Sequence, residues 1–348
     1  MKRFGIISFC LIATLVCPAA TVSYSPPVGG TRVAFAQGMR FTGMPFVNAP
    51  SHRGVVASNT THVITLGNGS SNLASVLTSG TAYYVEIVGG PAVTYVGERF
   101  EVDVAATVAS ANATLTIASG SSTNTLSTLP DLTAYRLVIR PHVTIGQMFG
   151  TKARELMQGS TNLSTADQIV ILDPQTQSFL TYYFLRNPTG TVAQWTLVGG
   201  GSTNRDNTPI PPGTGMIVHR KAATAVTLAW SGHIRRNAFA QPLTAGLNLI
   251  AEPFPVDSSP LERALTYSNG VAGSANLSQS DQVAVFNGIG YDTYYLLRNP
   301  TGTIEQWTLV GGGSTNHNTQ KFFKSTGAVF IRKMIADADY FIPYSLNL

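Results

Sequence analysis

Two sets of aromatic residues recur in this chain at a fixed interval: Tyr182, Tyr183 and Trp195, then Tyr294, Tyr295 and Trp307. Aromatic rings suit the C–H faces of sugars, so Tyr183, Trp195, Tyr295 and Trp307 are the candidate glycan-stacking residues. Consecutive side chains on a strand point to opposite faces, which leaves one tyrosine of each pair outside the core. The competing role for Trp195 and Trp307 is to fill an apolar interior. A second candidate chemistry is modification. Asn59, Asn68, Asn112, Asn162 and Asn276 stand in N-x-S/T sequons, the acceptor pattern for N-glycosylation of an exported chain. Asn187 and Asn299 are each followed by proline and drop out.

No catalytic constellation emerges from the other polar residues. The tract Gly199-Gly200-Gly201-Ser202-Thr203-Asn204, repeated at 311–316, lacks the lysine and the following helix of a phosphate-binding loop. The histidines, His52, His62, His142, His219, His233 and His317, show no i, i+4 pairing and no neighbouring cysteine, so no metal site is expected. Asp337 and Asp339 lack the glycine and further ligands of a calcium loop. Asp167, Asp173, Asp281, Asp292, Glu252 and Glu262 are the carboxylates from which a glycosidase pair, about 5–9.5 Å apart, would be drawn. Asp167 and Asp281 recur at equivalent places, which suits a structural turn better than an active site. Neither a G-x-S-x-G elbow nor H-E-x-x-H is present. The chain is therefore expected not to be an enzyme and to need no cofactor.

The elements that would position these residues are strands. Runs such as 83–88, 100–104, 168–172, 216–219 and 226–230 are β-rich and bounded by Gly, Pro, Asn or Ser. Helical periodicity is confined to 152–158 and 260–267. The strongest signal is an internal repeat: residues 183–204 read YFLRNPTGTVAQWTLVGGGSTN and residues 295–316 read YLLRNPTGTIEQWTLVGGGSTN. Each copy predicts a hairpin, with Asn-Pro-Thr-Gly as its turn and the glycines as its end. The apolar exchanges Phe184/Leu296 and Val192/Ile304 mark core positions; Ala193/Glu305 marks a solvent position. Weaker matches at Asp167/Asp281 and at 215–218 against 327–330 extend the repeat into two homologous modules.

These residues resemble a family of uncharacterised secreted bacterial proteins of verrucomicrobial type. Its members combine a signal peptide, an N-terminal β domain, a tract similar to residues 143–149 and a Tyr-Tyr…Trp hairpin. Residues 245–256, AGLNLIAEPFPV, resemble the family's junction into the second module. The resemblance implies an exported β protein; it brings no established activity, so no functional residue is carried over.

Lys2 and Arg3, the apolar run 4–16 and Ala19-Ala20 have the layout of a secretory signal peptide. Cleavage near residue 20 would remove both cysteines and leave 20 basic residues against 17 acidic ones. That weak, unclustered charge excludes a nucleic-acid surface, and no membrane anchor is expected after cleavage. The expected organisation is all-β: signal peptide 1–20, N-terminal β domain 21–141, and two tandem β-sandwich-like modules at 142–240 and 241–348. The expected role is a secreted structural protein of the cell exterior that self-associates, with residues 31–46, or less readily 340–344, donated as strands to a neighbouring copy. An adhesive protein binding extracellular polysaccharide is the alternative, and an exported hydrolase the third reading.

Overall fold

The computed structural model describes residues 27–67, 72–110, 112–118, 131–150, 157–336 and 340–344. The signal peptide expected at 1–20, Asn68, Asp337, Asp339 and all but the end of the helix expected at 152–158 lie outside them. The fold is all-β, with an N-terminal β domain and two sandwich-like modules.

Strands β1 (Val28–Phe35) and β2 (Gly38–Gly43) come first. Six strands follow: β3 (His52–Asn59), β4 (Val63–Leu66), β5 (Tyr83–Gly89), β6 (Arg99–Glu101), β7 (Thr114–Thr116) and β8 (Arg136–Pro141). Their sheet runs β6-β5-β8-β3-β4-β7, and a bridge between Val102 and Ile117 joins its two ends. The result is a small barrel filled by Val85, Ile87, Phe100, Leu115, Leu137 and Ile139. Closure leaves few unpaired strand edges. Helix α1 (Val104–Ser110) replaces the end of the strand expected at 100–104. Asp103 starts it, its Oδ1 accepting the Ala106 N–H at 2.9 Å.

The first module contains β9 (Val143–Thr144), helix α2 (Ile145–Phe149), β10 (Gln168–Asp173), β11 (Ser178–Arg186), β12 (Ala193–Leu197), β13 (Pro209–Ile210), β14 (Gly215–Arg220) and β15 (Val226–His233). A capping box between Thr144 and Gln147 starts α2. The main sheet runs β12-β11-β10-β14-β2, and β1 pairs with β15 in the opposite layer. Residues 28–43 thus belong to this module, which corrects their placement in the N-terminal domain. Alternation explains their position: Val33 and Phe35 point inward, and Phe35 packs its ring 6.1 Å from both Phe149 and Trp230. The barrel is an insertion between β2 and β9.

The second module repeats the plan without the insertion. Its strands are β16 (Phe239–Ala240), β17 (Gly246–Ala251), β18 (Gln282–Phe286), β19 (Tyr291–Arg298), β20 (Glu305–Leu309), β21 (Ala328–Lys333) and β22 (Phe341–Ile342). The sheet order is β17-β21-β18-β19-β20, with β16 paired to β22. Strand β17 therefore occupies the place of β2, and β16 that of β1. Both segments expected to be donated to a neighbour, 31–46 and 340–344, are paired within their own chain. The turn-rich stretch 260–267 is not a helix: one turn, closed by Ser259 and Glu262, ends where Ala264 takes a left-handed φ of 55°.

The two main sheets meet across a close seam. Glycine is required at Gly43, where a Cβ would stand 2.0 Å from that of Ala251. The contact is pseudo-twofold: Gly43 N–H donates to Thr326 O (3.2 Å) and Ala251 N–H to Gly213 O (2.9 Å). Phe41, Leu172, Leu249 and Ala328 fill it, with Phe286 and Phe330 packed alongside.

Candidate functional site

The repeated hairpins place their tryptophans inside. Trp195 and Trp307 are 0% and 1% exposed, and their indole N–H groups donate to Gly150 O (3.1 Å) and Leu265 O (2.8 Å). Neither offers a face to a sugar, which removes both from the stacking candidates. Tyr182 and Tyr294 are also buried, while Tyr183 and Tyr295 are half-buried on the other face. The glycine tracts cover the edge strands β12 and β20. Thr196 donates to Gly201 O and Thr308 to Gly313 O, and the chain beyond returns to bond the tryptophan backbone through Asp206 and Asn318. Two expectations exchange places at the turn. Ile304 is exposed and Ala193 buried, because residues 192 and 304 precede the strands.

The recurring aspartates are buried ties between strands. Asp167 pairs with Arg220 and accepts the N–H of Lys221 at 2.7 Å and of Gln158 at 2.7 Å. Asp281 does the same with Lys333 at 2.5 Å, Met334 at 2.7 Å and Ala272 at 2.9 Å. Glu252 pairs with buried Arg263 at 2.8 Å. Asp173, Asp292 and Glu262 hold turns or local side chains. Among the sequons, Asn112, Asn162 and Asn276 are exposed and Asn59 is half-buried. Asn59 Oδ1 accepts the Leu132 N–H at 2.8 Å. Among the described residues no group of three or more His, Asp or Glu side chains is placed to hold a metal, and no helix is long and apolar enough to cross a membrane.

The polar cluster that the sequence did not reveal lies where the barrel meets both modules. Glu86, on β5, is buried and bonds Arg235 at 2.7 Å and the Asn237 amide at 3.0 Å. Arg140, on β8, stands 3.9 Å from it. Burial raises the Glu86 pKa, but the charge and hydrogen bond of Arg235, with Asn237 and Arg140, outweigh that and hold it below the usual carboxylate value. Arg99, on β6, donates to Pro212 O of the first module and Ala240 O of the second, both at 2.8 Å, and lies 4.0 Å over the Phe239 ring. Burial lowers its pKa to about 10, with Arg235 adding to the effect.

Beside this knot opens a cavity of about 740 Å³, lined by all three units. Tyr84 and His142 lie on its barrel side, 1% and 3% exposed, with ring centroids 4.8 Å apart. His142 Nε2 meets a Glu101 carboxylate oxygen at 2.7 Å. Tyr84 Oη and His142 Nδ1 have no hydrogen-bond partner. Burial, with Glu86 nearby, pushes the Tyr84 hydroxyl up to about 12, so it stays protonated. These residues come from β5, β6 and the end of β8, and no local motif links them. Of these residues only His142 figures in the sequence reading, as one of six histidines without metal-ligand spacing.

Compared with known proteins, the chain matches no family model, no curated protein and no solved structure.

Proposed function

We propose that this is a secreted, non-enzymatic structural protein of the cell exterior that associates with its own copies. The observation that carries this reading is the use to which the repeated residues are put. The tryptophans, the glycine tracts and the aspartates that recur in both modules are spent on core packing, edge covering and strand ties. Duplication has multiplied a scaffold and not a reactive site. Only 11% of residues are charged, which leaves little repulsion between copies. Because β1, β2 and β22 are paired in-chain, association would use folded faces instead of donated strands. Fully exposed Ile289, with half-exposed Tyr291 at the same hairpin, belongs to such a face. Negative-stain imaging and sedimentation of the exported protein test the proposal. Filaments or large species growing with concentration are expected; a monodisperse monomer at high concentration would overturn it.

A further inference from the structure

We propose that Asn287 is a site of self-modification: its side chain loses ammonia to the backbone nitrogen of Gly288 and ends as isoaspartate or aspartate. This property is independent of assembly. The pair Asn-Gly occurs at 68–69, 269–270 and 287–288. The first pair lies outside the described residues. The other two are equally open to water, since all four residues are exposed. Their hydrogen bonds differ at every atom that the reaction uses.

Asn287 and Gly288 lie at the hairpin tip between β18 and β19. The Gly288 N–H, the nucleophile, donates to no group among the described residues. Glycine has no Cβ to obstruct the approach, and a Cβ added there would meet nothing within 4 Å. Asn287 Oδ1 accepts the N–H of Ile289 at 3.2 Å and of Gly290 at 2.9 Å. These bonds fold the side chain back over the turn, and both donors stand where negative charge develops as nitrogen adds to Cγ. Asn287 Nδ2 donates to Asp292 Oδ1 at 3.0 Å, which fixes the orientation of the amide. At Asn269 the arrangement is reversed. The Gly270 N–H is tied to Tyr267 O at 3.2 Å and Asn269 Nδ2 to Ala264 O at 3.1 Å. Asn269 Oδ1 accepts no hydrogen bond among the described residues.

The chemistry needs only water. Hydroxide takes the Gly288 N–H proton, and the nitrogen bonds to Asn287 Cγ. The Cγ–Nδ2 bond then breaks, Nδ2 takes a proton from water, and ammonia leaves a cyclic succinimide. Water opens the ring at either carbonyl, so isoaspartate and aspartate both form. The net change is water in and ammonia out, with no oxidation. The product replaces the amide donor facing Asp292 by a second carboxylate, so the tip that carries Ile289 gains a negative charge.

The test incubates the whole folded protein, and the same chain unfolded in guanidinium chloride, in oxygen-labelled water at mildly alkaline pH. Peptide mapping by mass spectrometry resolves each Asn-Gly site, and labelling with an isoaspartyl methyltransferase separates isoaspartate from aspartate. Folding should slow Asn269 about tenfold or more, because its hydrogen bonds must open first. Asn287 should react in the folded chain at least as fast as in the unfolded one. Its products should carry the label, include isoaspartate, and form faster as hydroxide concentration rises. In Asn287→Gln the longer side chain cannot close the five-membered ring, and the amide should persist. The inference is overturned if the folded protein keeps the Asn287 amide as long as that of Asn269, or if unfolding speeds Asn287. Aspartate as the sole product, or a Gln variant that loses its amide equally fast, would show direct hydrolysis and overturn it too.

Discussion

Replacing Gly43 by alanine tests the seam on which the relation between the two modules depends. The new methyl carbon would stand 2.0 Å from Ala251 Cβ, whereas carbon atoms in good contact lie about 3.5–4.0 Å apart. The sheets must therefore separate there by about 1.5–2 Å. Overpacking of this kind costs about 1–3 kcal/mol. The separation also strains the bonds from Gly43 to Thr326 and from Ala251 to Gly213, each with a net value of about 1 kcal/mol. Alanine recovers about 0.5–1 kcal/mol by restricting the unfolded chain. A net loss of about 2–4 kcal/mol is expected. Moving the methyl back across the seam, in the double variant Gly43→Ala with Ala251→Gly, should restore all but about 1 kcal/mol. Urea unfolding, with the slope checked for constancy, reads these differences. A Gly43→Ala protein as stable as wild type would refute the seam. So would a double variant no more stable than the single one. Gly215 provides the contrast. Its added Cβ would meet the Ile250 backbone at 3.0 Å as well as Ala328 Cβ at 2.8 Å, so an Ala328→Gly partner should not rescue it fully.

Two further outcomes follow from the burial pattern. Trp195→Ala and Trp307→Ala should each cost about 3–5 kcal/mol and leave the other module's hairpin protected in hydrogen exchange; a variant that melts like wild type would put that tryptophan at the surface. Glu86 supplies a pH dependence. Its folded pKa is depressed, so its contribution is complete above the unfolded value of about 4.3 and is lost as pH falls through the folded value. Stability should fall on acidification below about pH 4. Glu86→Gln should cost about 3–5 kcal/mol at neutral pH, by leaving Arg235 and Arg140 without their anion, and should flatten that acid limb. An acid limb identical to wild type would refute the role.

Local chemistry made the strands, the hairpins and the duplication legible. Asn-Pro-Thr-Gly dictates a turn, with Gly190 at φ 69° and Gly302 at φ 70°. Period-2 runs such as Val226, Leu228 and Trp230 dictate one buried face. The extent of each module was also written in the chain, in a fainter form. Ala34-Phe35-Ala36-Gln37 recurs as Ala238-Phe239-Ala240-Gln241, and Gly38 with Pro45-Phe46 recurs as Gly246 with Pro253-Phe254. The inserted barrel separates the first of these tracts from the rest of its module, and sequence adjacency then assigned residues 28–43 to the wrong unit. Strand pairing does not depend on adjacency, because a ladder needs only a complementary edge and a face to bury. Tertiary structure alone decided which aromatic residues are buried, since adjacent tyrosines are equivalent until one face of the sheet meets a second layer. It alone assembled Tyr84, Glu86, Arg99, Glu101, His142 and Arg235. Tyr84 and Glu86 face Glu101 and Arg99 across neighbouring strands, whereas His142 and Arg235 come from distant parts of the chain, and each is unremarkable until burial removes water and leaves only the others to answer its charge or hydrogen bonds.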